Sequence, residues 1–288
     1  MIDLEIRHKT TYRYRRPVRL GDHRLRLRPR ESRELRLVST SLVVSPPATT
    51  TWAQDVFGNA VATATFADMT DTLVVDSRVA LSLDAVAWPV FTIAASAIRF
   101  PFRYDDGEWA DLGTLSTPQS PDPAGRLRSW VQAFVHGPST DTLSLLKDIG
   151  TGVSRWVSYQ ARDDEGTQSP VETLDRGWGS CRDFAVLFVE AVRTLGFGAR
   201  IVSGYLHDPV GTAIGSVGGG STHAWAEVFV PGAGWITFDP TNRSVGGADL
   251  IPVAVVRDIR QAVPVEGSFQ GAADDFLGMT VEIAVTEV

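Results

Sequence analysis

Apolar residues first alternate with polar ones along this chain and later recur at helical spacing. Ile2, Leu4 and Ile6 alternate with Asp3, Glu5 and Arg7, and Tyr12 and Tyr14 keep the same phase. A period of two is what a half-buried strand needs. Val43-Val44 ends at the breaker Pro46-Pro47, Phe57-Gly58-Asn59-Ala60 reads as a hairpin turn between two strands, and Asp71 to Leu83 reads as another long strand. Residues 1–100 are therefore expected to form an N-terminal β-rich domain.

Residues 101–122 are rich in Pro, Asp, Gly and Ser and read as a linker. Past it the spacing turns helical, through Leu127, Trp130, Val131, Phe134 and Val135, then Leu143, Leu146, Ile149, Val153 and Trp156. A loop from Arg162 to Pro170, a helix from about 181 to 196, several strands and a last strand from Met279 to Val285 are expected to follow. Helices first and strands later make residues 123–288 an α+β domain with an antiparallel sheet. No repeat of 20–50 residues interrupts this order.

The helix near 181 carries the first chemical signal. Phe184, Leu187, Phe188, Ala191, Val192 and Leu195 form one apolar face. Ser180 and Asp183 have capping-box spacing, and Gly196 and Gly198 can end the helix. Cys181 is then the first helical residue. There the free backbone N–H groups lower a thiol pKa and can donate to an oxyanion. Gly179 is expected to leave room for a substrate backbone. On this helix alone, a buried structural cysteine fits as well as a nucleophile.

A second signal lies in Thr222 to Val230, which alternates like a strand. The turn Pro231-Gly232-Ala233-Gly234 follows, and then the short strand Trp235 to Asp239, stopped by Pro240. With a three-residue loop, 231–233, Val230 faces Gly234 and residue 225 faces 239. His223 and Asp239 become diagonal neighbours on one face. A two-residue loop would put them on opposite faces. A carboxylate on one imidazole nitrogen fixes the tautomer at the other, the orienter's role in a nucleophile–base–orienter triad. Taken singly, His223 also fits a satisfied core or surface histidine, and Asp239 an Asx-Pro turn. His8, His23, His136 and His207 have no comparable context and are expected to be structural or solvated.

Composition narrows the setting. The 288 residues carry a net charge of −7, which argues against a nucleic-acid partner. No run of about 18 apolar residues occurs, so neither a transmembrane helix nor a membrane partner is expected. Met1-Ile-Asp-Leu-Glu-Ile bears acids where a signal peptide is basic and then apolar, and the single cysteine rules out an internal disulfide. A cytoplasmic protein is expected. The first 36 residues are rich in Arg, and Arg26, Arg28 and Arg30 alternate with Leu25 and Leu27 as if on the wet face of strands.

Four motifs, in order, resemble the core of bacterial transglutaminase-like proteins. They are Gly179-Ser180-Cys181-Arg182-Asp183-Phe184-Ala185, Ala199-Arg200-Ile201-Val202-Ser203-Gly204-Tyr205, Thr222-His223-Ala224-Trp225-Ala226-Glu227 and Gly234-Trp235-Ile236-Thr237-Phe238-Asp239-Pro240-Thr241-Asn242. His8 to Tyr14, Pro17-Val18, Arg26 to Arg30 and Asp55 to Asn59 resemble the β-rich domain that precedes this core. The resemblance implies a papain-like arrangement, with the cysteine helix packed on a sheet bearing His and Asp. It makes Cys181, His223 and Asp239 the catalytic triad. Many members have Gln in place of Arg182, a difference that changes the charge of the cleft and leaves the triad untouched.

Tyr159, Thr167 and Gln168 lie in the segment that precedes the cysteine helix in such proteins. Tyr159 is the preferred second oxyanion donor, and Gln168 is a further candidate for the cleft. Trp178 and Trp225 flank the nucleophile and the base, where they would either grip an acyl chain or pack in the core. The reaction implied is acyl transfer at a peptide or amide bond through a Cys181 thioester. Hydrolysis is favoured, because this bacterial type is regarded as cysteine-protease-like. Amine transfer by a transglutaminase or peptide ligase is the alternative chemistry, and a non-catalytic protein-binding module is the alternative class. A metal site on the same three residues lacks Cys-x-x-Cys or His-x-x-x-His spacing, and no cofactor is expected. The implied partners are a peptide or protein substrate and an ATP-grasp-type enzyme of a peptide-modifying pathway.

Overall fold

The alternation at the start of the chain becomes strand β1 (Ile2–Leu20), with Leu4, Ile6, His8 and Thr10 turned inward. The computed structural model describes residues 1–162, 166–215 and 220–288; within the expected loop Arg162 to Pro170, residues 163–165 lie outside them. β1 pairs with β6 (Met69–Leu83), and β6 pairs with β3 (Leu35–Ser45). A second sheet holds β2 (His23–Leu25), β5 (Ala60–Phe66) and β4 (Ala48–Gln54). Tyr14, Leu25, Ala62, Ala64, Leu73 and Val75 pack in a cluster drawn from both sheets. The turn between β4 and β5 is the expected one, with Gly58 at φ 74°.

Sheet pairing assigns the C-terminus differently from the expected 123–288 boundary. β16 (Val265–Glu266) pairs with β2, while β17 (Phe269–Gln270) and β18 (Phe276–Glu287) pair antiparallel with β1. The physical reason is that β1 has β6 on one side only. The returning chain satisfies the N–H and C=O groups that its other edge would leave open.

The expected linker, 101–122, is also more than a connection. It carries helix α1 (Asp106–Leu112), started by a capping box between Asp105 and Glu108. Tyr104 Oη donates to the Phe229 carbonyl at 2.8 Å and accepts the Gly198 N–H at 3.0 Å. The short strands β7 (Arg99–Phe100) and β8 (Thr140–Asp141) pair with each other.

Four helices then follow, α2 (Arg126–Gln132), α3 (Thr142–Trp156), α4 (Pro170–Arg176) and α5 (Cys181–Thr194). The segments β9 (Ser158–Tyr159) and β10 (Trp178–Gly179) pair in parallel beside the start of α5. The last part is an antiparallel sheet in the order β14 (Ser244–Val245), β13 (Gly234–Asp239), β12 (Gly220–Val230), β11 (Ala199–His207), β15 (Leu250–Val256). Helix α5 was expected to bury one face. Instead every residue from Asp183 to Arg193 is buried.

That burial takes in two opposite charges, Glu190 and Arg193, 2.8 Å apart. Both are fully engaged. Glu190 Oε2 accepts the N–H groups of Gln119 and Ser120 at 2.7 Å each. Arg193 donates to the carbonyls of Leu115, Ala199 and Arg257. The pair thus ties the 113–120 segment and the start of β11 to the back of α5.

The N-terminal strands dock on the same antiparallel sheet. Leu4, Ile6, Val79 and Leu81 pack with Tyr205 and Ile251. Asn59, fully buried, donates from Nδ2 to the Val255 carbonyl at 2.8 Å and accepts the Val255 N–H at 2.9 Å, completing the outer edge of β15. Arg30 donates to Asn59 Oδ1 at 2.7 Å, and Arg26 is buried against Glu266 at 3.0 Å. These two arginines are therefore structural, not on a wet face as expected. The loop after β2 turns them into the junction, where carbonyls and a carboxylate are available.

Arg193→Met is expected to destabilise the protein by about 3–5 kcal/mol, because it leaves the Glu190 charge buried without its counter-ion. Chemical denaturation of the two proteins measures this, and an unchanged midpoint would contradict it.

Candidate active site

Cys181 occupies the first turn of α5 and is partly exposed. The turn before it is held by Asp183, which is wholly buried. Its carboxylate accepts the Ser180 N–H at 2.8 Å, as the expected cap, and the Ser180 hydroxyl at 2.9 Å. It also accepts the Gln168 N–H at 2.7 Å and pairs with Arg162 at 3.0 Å. Asp183 is thus more than a cap, since it also holds Arg162 and Gln168 beside the start of α5. Gly179 serves this anchor and not a substrate as expected. A Cβ there would lie 2.8 Å from the Asp183 Cβ.

The histidine and its carboxylate partner come from the hairpin. Val230 pairs with Gly234 and Ala226 with Phe238, the register of a three-residue loop, with φ 82° at Gly232 and 74° at Gly234. His223 and Asp239 consequently meet, Nε2 to Oδ2 at 2.7 Å, both buried. The β12–β13 ladder stops at Ala226 and Phe238. Past that point the Ala224 N–H is released from the ladder and donates to the Cys181 thiol. The imidazole bonds the thiol as well. Since Nε2 is taken by Asp239, Nδ1 is the nitrogen left for sulfur.

Asp239 is satisfied on both oxygens. Oδ1 accepts the N–H groups of Thr241 and Asn242 at 2.9 and 3.2 Å, and Oδ2 accepts Asn242 Nδ2 at 2.9 Å. Gly204 pairs opposite His223. A Cβ on it would collide with the Ile251 carbonyl and come within 2.9 Å of Trp225. The glycine admits the Trp225 ring, which lies nearly parallel to the imidazole with 6.1 Å between centroids. Trp225 is buried and cannot be a cleft wall. The two-residue side-chain repeat that puts His223 and Asp239 together also puts Trp225 on their face, where it packs with Val202 and Leu206.

The charges reinforce one another. Burial raises the Cys181 pKa, but the hydrogen bond and charge of His223, the Ala224 N–H and Arg182 together bring it below the ordinary thiol value. Burial lowers the His223 pKa, yet the Asp239 charge and hydrogen bond, with help from Cys181, push it up to about 10. Burial raises the Asp239 pKa, and His223 and Asn242 more than reverse that. The arrangement favours a thiolate–imidazolium pair resting on an ionised carboxylate.

Tyr159 lies on β9 opposite Gly179, its ring edge-on to Phe184 at 6.2 Å. Burial pushes its pKa to about 12, and the Cys181 charge adds to the rise. Gln168 is buried, and its Nε2 points to the Trp178 carbonyl at 3.4 Å, away from the role expected of it. Its backbone N–H is the part that serves the site, through Asp183. Thr167 is only partly buried. Trp178 is half-buried beneath the Arg176 guanidinium, 5.5 Å from its ring centroid. Ala224 and Asn242 were not singled out by the sequence. The signal for Asn242 was present, as an amide three residues after Asp239. His8 bonds Tyr205 at 3.0 Å and Thr10 at 3.2 Å, a structural role. Among the described residues no three His, Cys, Asp or Glu are arranged to hold a metal ion, and no helix is long and apolar enough to cross a membrane.

Two family signatures match this chain. The bacterial transglutaminase-like N-terminal region matches residues 4–81, and the transglutaminase-like superfamily core matches residues 128–240. An uncharacterised protein of Mycobacterium tuberculosis is 25% identical over 292 residues, covering 98% of this chain and 92% of that protein. One of Mycobacterium leprae is 33% identical over 134 residues, 45% of this chain, and the match spans 47% of the relative's own length. The fold is that of a candidate cysteine protease from Cytophaga hutchinsonii, with a TM-score of 0.73 at 20% identity, covering 100% of this chain and 91% of that one. With both signatures in sequence order on one polypeptide and the fold to match, the chain belongs to the bacterial transglutaminase-like family.

Proposed function

We propose that this protein is a cysteine enzyme that cleaves a peptide or amide bond through a thioester on Cys181. The observation that carries the reading is the buried Asp239 carboxylate, 2.7 Å from an imidazole that also bonds a thiol at a helix start. The Cys181 thiolate adds to the carbonyl carbon, and the electron pair of the C=O bond moves to oxygen. The Cys181 N–H, in the first turn of α5, and Tyr159 Oη are the donors we assign to that oxyanion. Collapse expels the amine, which takes its proton from His223. Water then passes a proton to His223 as its oxygen adds to the thioester. A second collapse releases the acid and restores the thiolate. Asp239 holds the imidazole in orientation and stays ionised throughout.

Water as the acceptor is supported by the Cytophaga hutchinsonii protein of the same fold, which is described as a candidate cysteine protease. The cytoplasm is the compartment we assign, since a lone thiol stays reduced there.

Mass spectrometry of a peptide library incubated with the protein, with and without a primary amine, tests the reading. Cleaved products that have gained water are expected. Amine adducts would instead assign transfer to the second acceptor, and no Cys181-dependent product at all would overturn acyl chemistry. Cys181→Ala is expected to lower the rate by more than about 1,000-fold while moving stability by less than about 1 kcal/mol. Unaltered turnover in that variant would end the hypothesis.

The pH profile gives a further check. Asp239 stabilises the imidazolium, so activity is expected to persist until His223 loses its proton near pH 10. Asp239→Asn removes that charge. The alkaline limb of p-nitrophenyl acetate hydrolysis should therefore move down toward the ordinary histidine value of 6.5. A limb that stays in place would show that Asp239 does not set it.

A further inference from the structure

One side chain joins two walls of the site that different parts of the chain supply. Asn242 Nδ2 donates to Asp239 Oδ2 at 2.9 Å, and its Oδ1 accepts the Ile214 N–H at 2.8 Å. Ile214 belongs to the segment that leaves β11. That segment is folded on Asp208, which accepts the N–H groups of Thr212 at 3.1 Å and Ala213 at 2.9 Å. The next residue, Gly215, rests on Tyr159. A Cβ added there would lie 2.5 Å from Tyr159 Oη. The Gly215 carbonyl is held in turn by the Ser221 hydroxyl at 3.0 Å, two residues before His223.

The Asn242 amide can sit only one way round. Turned over, it would set its oxygen against a carboxylate and its NH2 against an N–H. Asp has the same shape but only acceptors when ionised. The position therefore calls for one donor and one acceptor on a short, planar side chain.

We propose that Asn242 is a positioning residue that couples the acid–base side of the site to the oxyanion side. It fixes the Asp239 carboxylate toward His223 and, through Ile214, seats Gly215 on the Tyr159 hydroxyl so that the phenol keeps its place above Cys181. This rests on the proposed roles of Cys181 and Tyr159. The coupling belongs to the step that builds an oxyanion. Ester acylation of Cys181 needs that step, whereas alkylation by iodoacetamide needs only the thiolate.

The experiment is a double-mutant cycle on the full chain. The p-nitrophenolate burst from p-nitrophenyl acetate and the iodoacetamide alkylation rate of Cys181 are measured for wild type, Asn242→Ala, Tyr159→Phe and the double variant. Asn242→Ala is expected to slow acylation by about 10-fold or more and alkylation by less than about 3-fold. The double variant should be little slower than either single one, because both changes disturb the same hydroxyl. Losses that multiply, or wild-type acylation in Asn242→Ala, would overturn the coupling.

Asn242→Asp, equal in shape, supplies a second route. It keeps an acceptor for Ile214 and opposes Asp239 with a like charge, so it should slow alkylation too and add a carboxylate ionisation to its pH profile. Wild-type behaviour in both assays would again overturn the proposal. If the wild-type protein shows no burst that Cys181→Ala removes, the proposed function falls. If the burst is present and the cycle is multiplicative, only the role of Asn242 falls.

Discussion

The buried length of α5, Asp183 to Arg193, must satisfy every charge it carries with groups from its surroundings, and it carries three. Asp183, Glu190 and Arg193 are each wholly or almost wholly buried. Each is answered largely by backbone groups of loops: 166–180 for Asp183, 113–120 for Glu190, and carbonyls at Leu115, Ala199 and Arg257 for Arg193. A buried charge without a partner costs several kcal/mol, so these loops have little freedom to leave. The helix thereby fixes its own surroundings. The loops that flank Cys181 are placed by the same carboxylate that closes the first turn beneath it.

The sheet contributes the other half of the site through a mismatch in strand length. β13 ends at Asp239 while β12 continues back through His223 to Gly220. Within the paired part, alternation delivers apolar side chains to α5, among them Ala226, Val228, Ile236 and Phe238. Just past the last pair, Ala224 turns its N–H to sulfur and not to a strand. The thiol is therefore served by backbone and side chain of adjacent residues on one strand. A longer β13 would have taken the amide back into the ladder, and a hairpin loop one residue shorter would have turned Asp239 to the opposite face.

These relations explain what could be read in advance. Hairpin parity needs only local spacing and two glycines, so the meeting of His223 and Asp239 was accessible from residues 222–240 alone. The start of α5 was legible from Ser180, Asp183 and the apolar face that follows. Helices α1 and α4 escaped because each is only seven residues long and shows little periodicity. Their capping boxes, Asp105 with Glu108 and Ser169 with Glu172, were nevertheless present in the sequence. Non-local facts were not legible in the same way. Nothing in the local pattern of Phe276 to Glu287 says that it pairs with β1. Nor does Leu-Arg alternation show that Arg26 and Arg30 meet partners from Glu266 and Asn59. The fates of Trp225 and Gly204 follow from a close approach between strands, which spacing alone does not disclose.

The same non-local contacts bear on what the N-terminal strands are for. They are not a module hung beside the core. Ile6 and Leu81 complete a cluster with Tyr205 and Ile251 that would face water in their absence. Asn59 supplies β15 with the donor and acceptor that a further strand would have given. From the far end of the chain, Val285 fills the space that Gly220 leaves open, so close that a Cβ on that glycine would lie 2.6 Å from the valine's own. Gly220 begins the strand that bears His223 three residues later. Beside it, His207 Nε2 lies 3.5 Å from Glu287. The strand bearing His223 is thus backed at its origin by the end of β18 and along its length by α5. Removing either support would expose apolar surface and loosen the same imidazole, which ties the stability of the two β-regions to the geometry of one site.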